Sequence, residues 1–397
     1  MFKNVPVASP DPIFNLNTAF KKDFNPNKIN LGVGAYKTDE LLAWVLPSVK
    51  KAEETVVSAY LDKEYLPIDG DAEYNLASLK LVFGEDFVKK NTMRLFGAQT
   101  IGGTGALRIG AEFLFRYISK LIYIPEPSWP NHRQIFGIAG MHIETYPYYN
   151  EHQHSFDFNG MCKAINKMEK GSVILLQASC HNPTGVDPSR DEWMELAHLI
   201  KAQGVIPFFD SAYQGFAHGI EEDVFSIREF ADHFDEMLVA HSYSKNFGLY
   251  GERVGGLFFL TQDESCVASI GSQVKVLIRA NYSNPPSHGM RIVKSILRAN
   301  GLRKEWEGDV AIMRNRLLEM RSLLAQKLKE KILFRDFSQL ERQHGMFSFC
   351  GLSKEEVGVL IEKYGIYMTS NGRISIAGLN RSNVDYVVES IADVLQK

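Results

Sequence analysis

Four cysteines in 397 residues, Cys162, Cys180, Cys266 and Cys350, form no CxxC pair and no metal-ligand spacing. A disulfide scaffold and a thiolate metal centre are thereby set aside. The expectation is no metal, free thiols and a reducing compartment, the cytoplasm. Excess positive charge is also missing: the formal net charge is −3, which argues against nucleic acid as a main partner. No uninterrupted apolar run reaches the length of a bilayer span, so no membrane partner is expected. The first seventeen residues lack the basic start and apolar core of a secretion signal and the Arg/Ser bias of a transit peptide. With Pro6, Pro10 and Pro12 they read as an extended arm that a partner surface would order. Internal repeats and low-complexity segments are absent. So is a dinucleotide fingerprint, because Arg108 stands where the third glycine would be, and no Walker loop occurs. What remains is an ordinary globular composition, 45% apolar and 23% charged, long enough for one large or two ordinary domains.

From about residue 90 to 260, short apolar runs alternate with helical patterns. The runs are Leu121–Ile124, Val173–Leu176, Val205–Phe209, Met237–Ala240 and Gly256–Leu260. Asp187-Pro188-Ser189 reads as a helix start with Asp187 as the cap, and Gly204 as the stop. Strand–helix alternation of this kind predicts an α/β fold with a mostly parallel sheet. The pattern changes at Trp306. Trp306, Val310, Met313, Leu317, Met320, Leu324 and Leu328 are spaced by three or four, which predicts one long amphipathic helix. Short strand-like pieces (346–349, 373–376) and a last helix (383–395) follow. They predict a smaller α+β domain.

Ligands in open α/β sheets bind beyond the carboxyl ends of the strands, so the residues after each run carry the functional argument. Trp129 and His132 follow the first run, Asn182 the second, Asp210 and Tyr213 the third, and Ser242-Tyr243-Ser244-Lys245 the fourth. A lysine just past a buried strand, among small hydroxyl residues, has its ammonium desolvated and its amine made nucleophilic. That is the setting of a Schiff-base lysine and implies pyridoxal 5'-phosphate. Asp210, preceded by five apolar residues, reads either as a cap on the next turn or as the carboxylate facing a protonated pyridine nitrogen. Gly102-Gly103-Thr104-Gly105 ahead of a helix is a plain turn or a phosphate cradle. Trp129 is a core residue or a ring stacked on a cofactor. Arg253 is a surface arginine or a phosphate ligand. Arg279 and Arg373 lie in polar, turn-rich surroundings and are suited to carboxylates; two of them suggest a dicarboxylate.

Seven motifs in order, centred on Gly103-Thr104, Trp129, Asn182, Asp210/Tyr213, Lys245, Arg279 and Arg373, closely resemble the aspartate aminotransferase family of fold-type I pyridoxal-phosphate enzymes. The likeness runs from about Asn30 to the C-terminus. It implies that Lys245 carries the cofactor and then moves protons, and that Asp210 pairs with the pyridine nitrogen. Asn182 and Tyr213 would bond the phenolic oxygen, and Trp129 would stack on the ring. Gly103, Thr104, Ser242 and Arg253 would hold the phosphate, with Tyr65 reaching it from a neighbouring subunit. Arg373, with Asn182, would grip the substrate α-carboxylate and a neighbour's Arg279 the distal one. Gly34 and Phe347 match the segment that closes over substrate and the pocket wall, and His132 stands behind Asp210. The resemblance further implies a homodimer with shared sites, acting on amino acid and 2-oxo acid substrates. The expected division is an arm (1–15), a small domain (16–45 plus 313–397) and a large cofactor domain (46–312). Leu41-Leu42-Ala43-Trp44 replaces the polar, glycine-containing turn frequent in the family. That apolar segment opens the alternative of an aromatic or broad-range aminotransferase.

Overall fold

Every residue of Val173–Gln177, Met237–Ser242 and Val254–Leu260 is buried, as expected of strands covered on both faces. In a computed structural model, which describes residues 2–8 and 12–396, they belong to one seven-stranded sheet. We number its strands β1 (Leu95–Ile101), β2 (Leu121–Glu126), β3 (His142–Pro147), β4 (Val173–Gln177), β5 (Ile206–Ser211), β6 (Met237–Ser242) and β7 (Val254–Leu260). Their spatial order is β1-β7-β6-β5-β4-β2-β3. Pairings are parallel throughout, except that β7 runs antiparallel to both β1 and β6.

Alternation along these apolar strands sorts the core into two clusters. Leu176, Phe209, Val239 and Phe258 join one, with residues of helices α1 (Ala72–Phe83) and α4 (Arg190–Gln203). Leu175, Phe208, Leu238 and Leu257 join the other, with residues of α2 (Gly102–Tyr117), α3 (Pro130–Ile138) and α5 (Glu264–Asn281). By the same parity, Gln177, Asp210 and Ser242 project toward the α2 face, while Ser211 and His241 project toward the α1 face.

The chain divides into two compact units, residues 44–316, which contain this sheet, and residues 1–43 with 317–397. The long helix α6 (Asn300–Lys331) runs through the division, and all seven of its predicted apolar positions are buried. In the smaller unit β8 (Phe347–Phe349) pairs antiparallel with β9 (Arg373–Ser375), and Ile29–Asn30 pairs parallel with Ile366–Tyr367. Met1 and residues 9–11 of the expected arm lie outside the described residues. Phe2–Asn4 is a single 3-10 turn, Phe2, Val5 and Val7 are exposed, and a helix begins at Pro12.

The helix start near Asp187 differs from expectation. Ser189, not Asp187, caps α4, in a capping box where the Ser189 hydroxyl accepts from Glu192 N (3.3 Å) and the Glu192 carboxylate accepts from Ser189 N (2.7 Å). Asp187 instead accepts from the amides of Cys180 (2.6 Å) and His181 (3.0 Å), closing the loop after β4. Burial pushes its carboxyl up to about 6.

His241 is fully buried, and among the described residues only Ser211 Oγ, at 3.3 Å from Nδ1, meets its ring with a hydrogen bond. Burial lowers its pKa from 6.5 to about 3, and that of His181 falls well below the usual value for the same main reason. Between those limits the unfolded chain binds protons that the folded chain refuses, so stability is lost as pH falls through the window. The midpoint of urea unfolding should therefore drop as pH is lowered from about 6.5 toward 3. His241→Asn should flatten part of that slope; an unchanged slope would absolve His241.

Candidate active site

Lys245 lies in a tight turn just past β6, and the turn is clamped from several sides. Tyr243 N donates to Val254 O (3.1 Å) and Gly248 N to Lys245 O (3.0 Å). The Tyr243 hydroxyl donates to Ser78 Oγ (2.7 Å), and Asn246 Nδ2 to Gln214 O (3.2 Å). From α6, Trp306 Nε1 donates to Asn246 O (2.7 Å), and its ring stacks on Phe247 with centroids 4.5 Å apart. These bonds leave the lysine amine near two aromatic faces, 5.6 Å from the Tyr213 centroid and 6.0 Å from that of Tyr250. Its pKa is brought down from 10.5 to about 8. Desolvation is the main cause; the Asp210 carboxylate pushes the other way, and the Arg253 guanidinium adds to the lowering.

Asp210 is nearly buried at the end of β5. Its Oδ2 lies 2.9 Å from Nε2 of the fully buried His132, whose Nδ1 lies 2.8 Å from Ser128 Oγ. A carboxylate only accepts, so Nε2 carries the proton toward Asp210 and the serine hydroxyl meets Nδ1 on the other side of the ring. Trp129 stands edge-on to His132, with centroids 5.2 Å apart. Asn182 and Tyr213 are buried after β4 and β5. The Gln177 amide holds the Asn182 backbone at two points: Oε1 accepts from Asn182 N (2.9 Å) and Nε2 donates to Asn182 O (3.1 Å).

The predicted glycine turn proves to be the first turn of α2, which begins at Gly102 and has no side-chain cap. Its leading N–H groups have no intrahelical acceptor and favour an anion. Arg253 lies over this turn: its Nη2 is 2.6 Å from where a Cβ on Gly102 would stand, so only glycine admits it there. Arg253 itself has φ +56°, a left-handed conformation that costs a non-glycine residue roughly 1–3 kcal/mol. Arg253 Nη1 donates to Tyr250 O (3.0 Å) and Ser244 Oγ (3.2 Å), and Ser242 Oγ donates to Ser244 Oγ (3.1 Å). Gly103 packs close to Ser242. A cavity of about 310 Å³ opens here, lined in part by Thr104, Arg108, Arg253 and Tyr282. Ser244 joins this cradle unpredicted; the sequence signal was its spacing of two from Ser242.

In the smaller unit, Arg373 starts β9 and is buried. Its Nη2 donates to Gly32 O (2.7 Å), and the guanidinium lies 4.2 Å from the centroid of the Phe347 ring. Gly34 meets that ring's tip, where an added Cβ would come within 2.7 Å of Phe347 Cζ. Gly34, Phe347 and Arg373 thus form one cluster.

Arg279 and Tyr65 stand apart from the lysine. Among the described residues, no hydrogen bond or ion pair joins either to Lys245, Asp210 or Arg253. Both are exposed, and Asn284 links their surroundings: its Oδ1 accepts from Arg279 Nη1 (3.1 Å) and its Nδ2 donates to Leu66 O (2.7 Å). A larger cavity, about 350 Å³, is lined in part by Asp187, Arg190, His218 and Asp223 and contains none of the predicted site residues. Among the described residues no group of three or more His, Cys, Asp or Glu could hold a metal ion.

The larger unit therefore assembles a desolvated amine, a nearly buried carboxylate with one oxygen engaged by His132, and a cationic, amide-lined cradle. These donor and acceptor types fit pyridoxal 5'-phosphate: an amine for its carbonyl, an anion for its ring nitrogen, and cations and N–H groups for its phosphate. Fold and side chains together define the fold-type I class of pyridoxal-phosphate enzymes. A family model described as "Aminotransferase class I and II" matches residues 26–391. The chain belongs to that family and is a pyridoxal-phosphate-dependent transaminase. It is 45% identical over 396 residues to the aspartate aminotransferase of Escherichia coli (strain K12), with both chains covered completely. Among solved structures it is similar to the cytoplasmic aspartate aminotransferase of Saccharomyces cerevisiae (TM-score 0.97, 35% identity, 100% of this chain and 98% of that one covered). It is also similar to an aromatic-amino-acid aminotransferase of Burkholderia pseudomallei covalently bound to pyridoxal phosphate (TM-score 0.96, 43% identity, 100% and 99% covered).

In cofactor-free protein, acylation of Lys245 should follow a titration centred near 8. Because Asp210 raises this value and Arg253 lowers it, Asp210→Asn should move the midpoint down and Arg253→Met should move it up. Peptide mapping after pulse acylation at graded pH measures all three. A midpoint near 10.5 would contradict the desolvated amine.

Proposed function

We propose that this chain is an aspartate aminotransferase, exchanging the amino group between L-aspartate and 2-oxoglutarate to give oxaloacetate and L-glutamate. The observation that carries this reading is the buried Lys245 amine, poised between Asp210 and Arg253 at the strand ends. The full-length likeness to the Escherichia coli enzyme supports the substrate pair. When bound, pyridoxal phosphate supplies a carbonyl that bonds amines and a ring that withdraws electrons from the substrate Cα. Gly103, Thr104, Ser242, Ser244 and Arg253 hold its phosphate. Asp210 retains a proton on the ring nitrogen, and His132 orients Asp210. Asn182 and Tyr213 bond the phenolic oxygen, and Trp129 covers the ring. Lys245, whose lowered pKa of about 8 makes the free amine accessible near neutral pH, takes the proton from the substrate Cα and returns one on the way to the oxo acid. Arg373 grips the α-carboxylate.

Exposure of Arg279 and Tyr65 away from their own Lys245 supports a homodimer in which they serve the site of a second copy, Arg279 for the distal carboxylate and Tyr65 for the phosphate. The exposed apolar residues Phe2, Val5 and Val7 suit an arm laid on that copy. A cytoplasmic location fits the free thiols. No helix among the described residues is long and apolar enough to cross a membrane.

One observation favours broader substrates. Lys37 bridges to Ala43 around a turn whose tip is Asp39-Glu40, Leu41 closes the turn with φ +59°, and Leu42 beside it is 63% exposed, so an apolar side chain stands in solvent next to the tip. A ratio of phenylalanine to aspartate turnover near one would favour a broad-range enzyme.

Lys245→Ala should abolish steady-state transamination; near-normal turnover would sink the scheme. Arg279→Leu should lower kcat/KM for aspartate by about a hundredfold or more, on the scale of about 3 kcal/mol for an uncompensated charged bond, and spare apolar amino acids. Equal losses for both classes would remove Arg279 from the distal role.

A further inference from the structure

Arg321, on α6 in the smaller unit, is 1% exposed and among the largest fully buried side chains of the protein. A guanidinium in a core is costly, and an apolar residue of similar volume is often no less stable. Its bonds indicate what it does there. Nε donates to Ser348 Oγ (3.1 Å), and Nη2 donates to Gly345 O and, more weakly, to Phe347 O (3.4 Å). All three acceptors belong to β8 or the turn that leads into it. Gly345 has φ +77°, so the chain bends sharply where the guanidinium holds it.

Phe347 is the middle link. Its backbone is held by Arg321, its ring tip abuts Gly34, and the Arg373 guanidinium lies over its ring at 4.2 Å. β8 also pairs with β9, the strand that starts at Arg373, in the register Phe347↔Ser375 and Phe349↔Arg373. Both the backbone and the cation–π face under Arg373 are therefore set by the position of β8. Only a planar fork with several donors can serve two carbonyls and a hydroxyl together.

We propose that Arg321 is a positioning residue for Arg373, fixing β8 and Phe347 so that the Arg373 guanidinium is aimed at the substrate α-carboxylate. This rests on the reading of Arg373 as the carboxylate anchor.

The test uses the full-length holoenzyme and two readouts: the Kd of succinate, an unreactive dicarboxylate, followed by the absorbance of the bound cofactor, and the split between KM and kcat for aspartate. Arg321→Met should raise the succinate Kd and the aspartate KM by about tenfold, equivalent to about 1.4 kcal/mol. It should leave kcat and the pH dependence of the cofactor absorbance near those of the parent. Arg321→Lys should recover part of the loss. Ser348→Ala, which removes one contact and serves if Arg321→Met does not fold, should raise Kd about two- to threefold. Unchanged Kd in Arg321→Lys and Ser348→Ala, whatever happens to Tm, would reduce Arg321 to a structural residue and overturn the proposal. Arg373→Lys is run alongside. If it weakens succinate while the Arg321 and Ser348 variants do not, this inference alone fails. If Arg373→Lys also leaves Kd unchanged, the anchor reading of Arg373 fails and takes the proposal with it.

Discussion

The larger unit is organised around one electrostatic constraint: an amine must be kept out of water without being locked into its charged form. Burial alone would drive the Lys245 pKa lower, and Asp210 alone would drive it back up. The balance with Arg253 leaves it at about 8. Such a balance needs charges fixed at chosen distances inside a dry rim. Strands β4, β5 and β6, buried throughout except at Ile206 where β5 begins, provide the rim, because each ends where its apolar residues give way to a functional one. The Lys245 turn cannot relax either, since Trp306, Gln214, Ser78 and Val254 each hold its neighbours by a hydrogen bond.

The one antiparallel strand of the seven-stranded sheet, β7, follows from the same constraint. Parallel strands deliver their carboxyl ends to one edge, which suits Asn182, Asp210 and Lys245. Arg253 stands at the amino end of its strand, and only a reversed strand brings that end to the same edge. The pairing Gly255↔Ser242 places Arg253 beside the hydroxyls of Ser242 and Ser244 and over the start of α2. The left-handed backbone of Arg253 is the local cost of that placement.

How much was legible in the sequence depended on whether burial was total or partial. Continuous apolar runs such as Met237–Ala240 gave strands, and the residues after them gave Lys245, Asp210 and Asn182. β1 (Leu-Phe-Gly-Ala-Gln-Thr-Ile) and β3 (His-Ile-Glu-Thr-Tyr-Pro) carry polar residues or glycine and lack a continuous run, so pattern did not reveal them. Asp187 looked like a cap because Asp-Pro is a common helix entry. Ser189 won because Glu192 could complete a reciprocal pair of bonds. Ser244 was hidden inside the lysine motif, and its role emerges only when Arg253 arrives from a different strand. Arg321 was invisible as well: an arginine on an amphipathic helix reads as solvated until its bonds to β8 and to the turn that leads into it are seen.

The predicted site residues sort into two physical kinds. Lys245, Asp210, His132 and Arg373 are held by dense local bonding, so their neighbours set their direction. Arg279 is exposed, and its hydrogen-bond partners, Ser283 Oγ and Asn284 Oδ1, are neutral. Neutral acceptors orient a guanidinium without cancelling its charge, whereas a carboxylate partner would compete with any incoming anion. The bond from Asn284 to Leu66 O ties the same device to the segment carrying Tyr65. A cation aimed in this way and left uncompensated is poorly explained as a stabiliser of its own unit, since an exposed charge held by neutral groups contributes little to folding. It suits the distal-carboxylate role proposed for Arg279, as one half of a recognition pair whose other half is brought from outside.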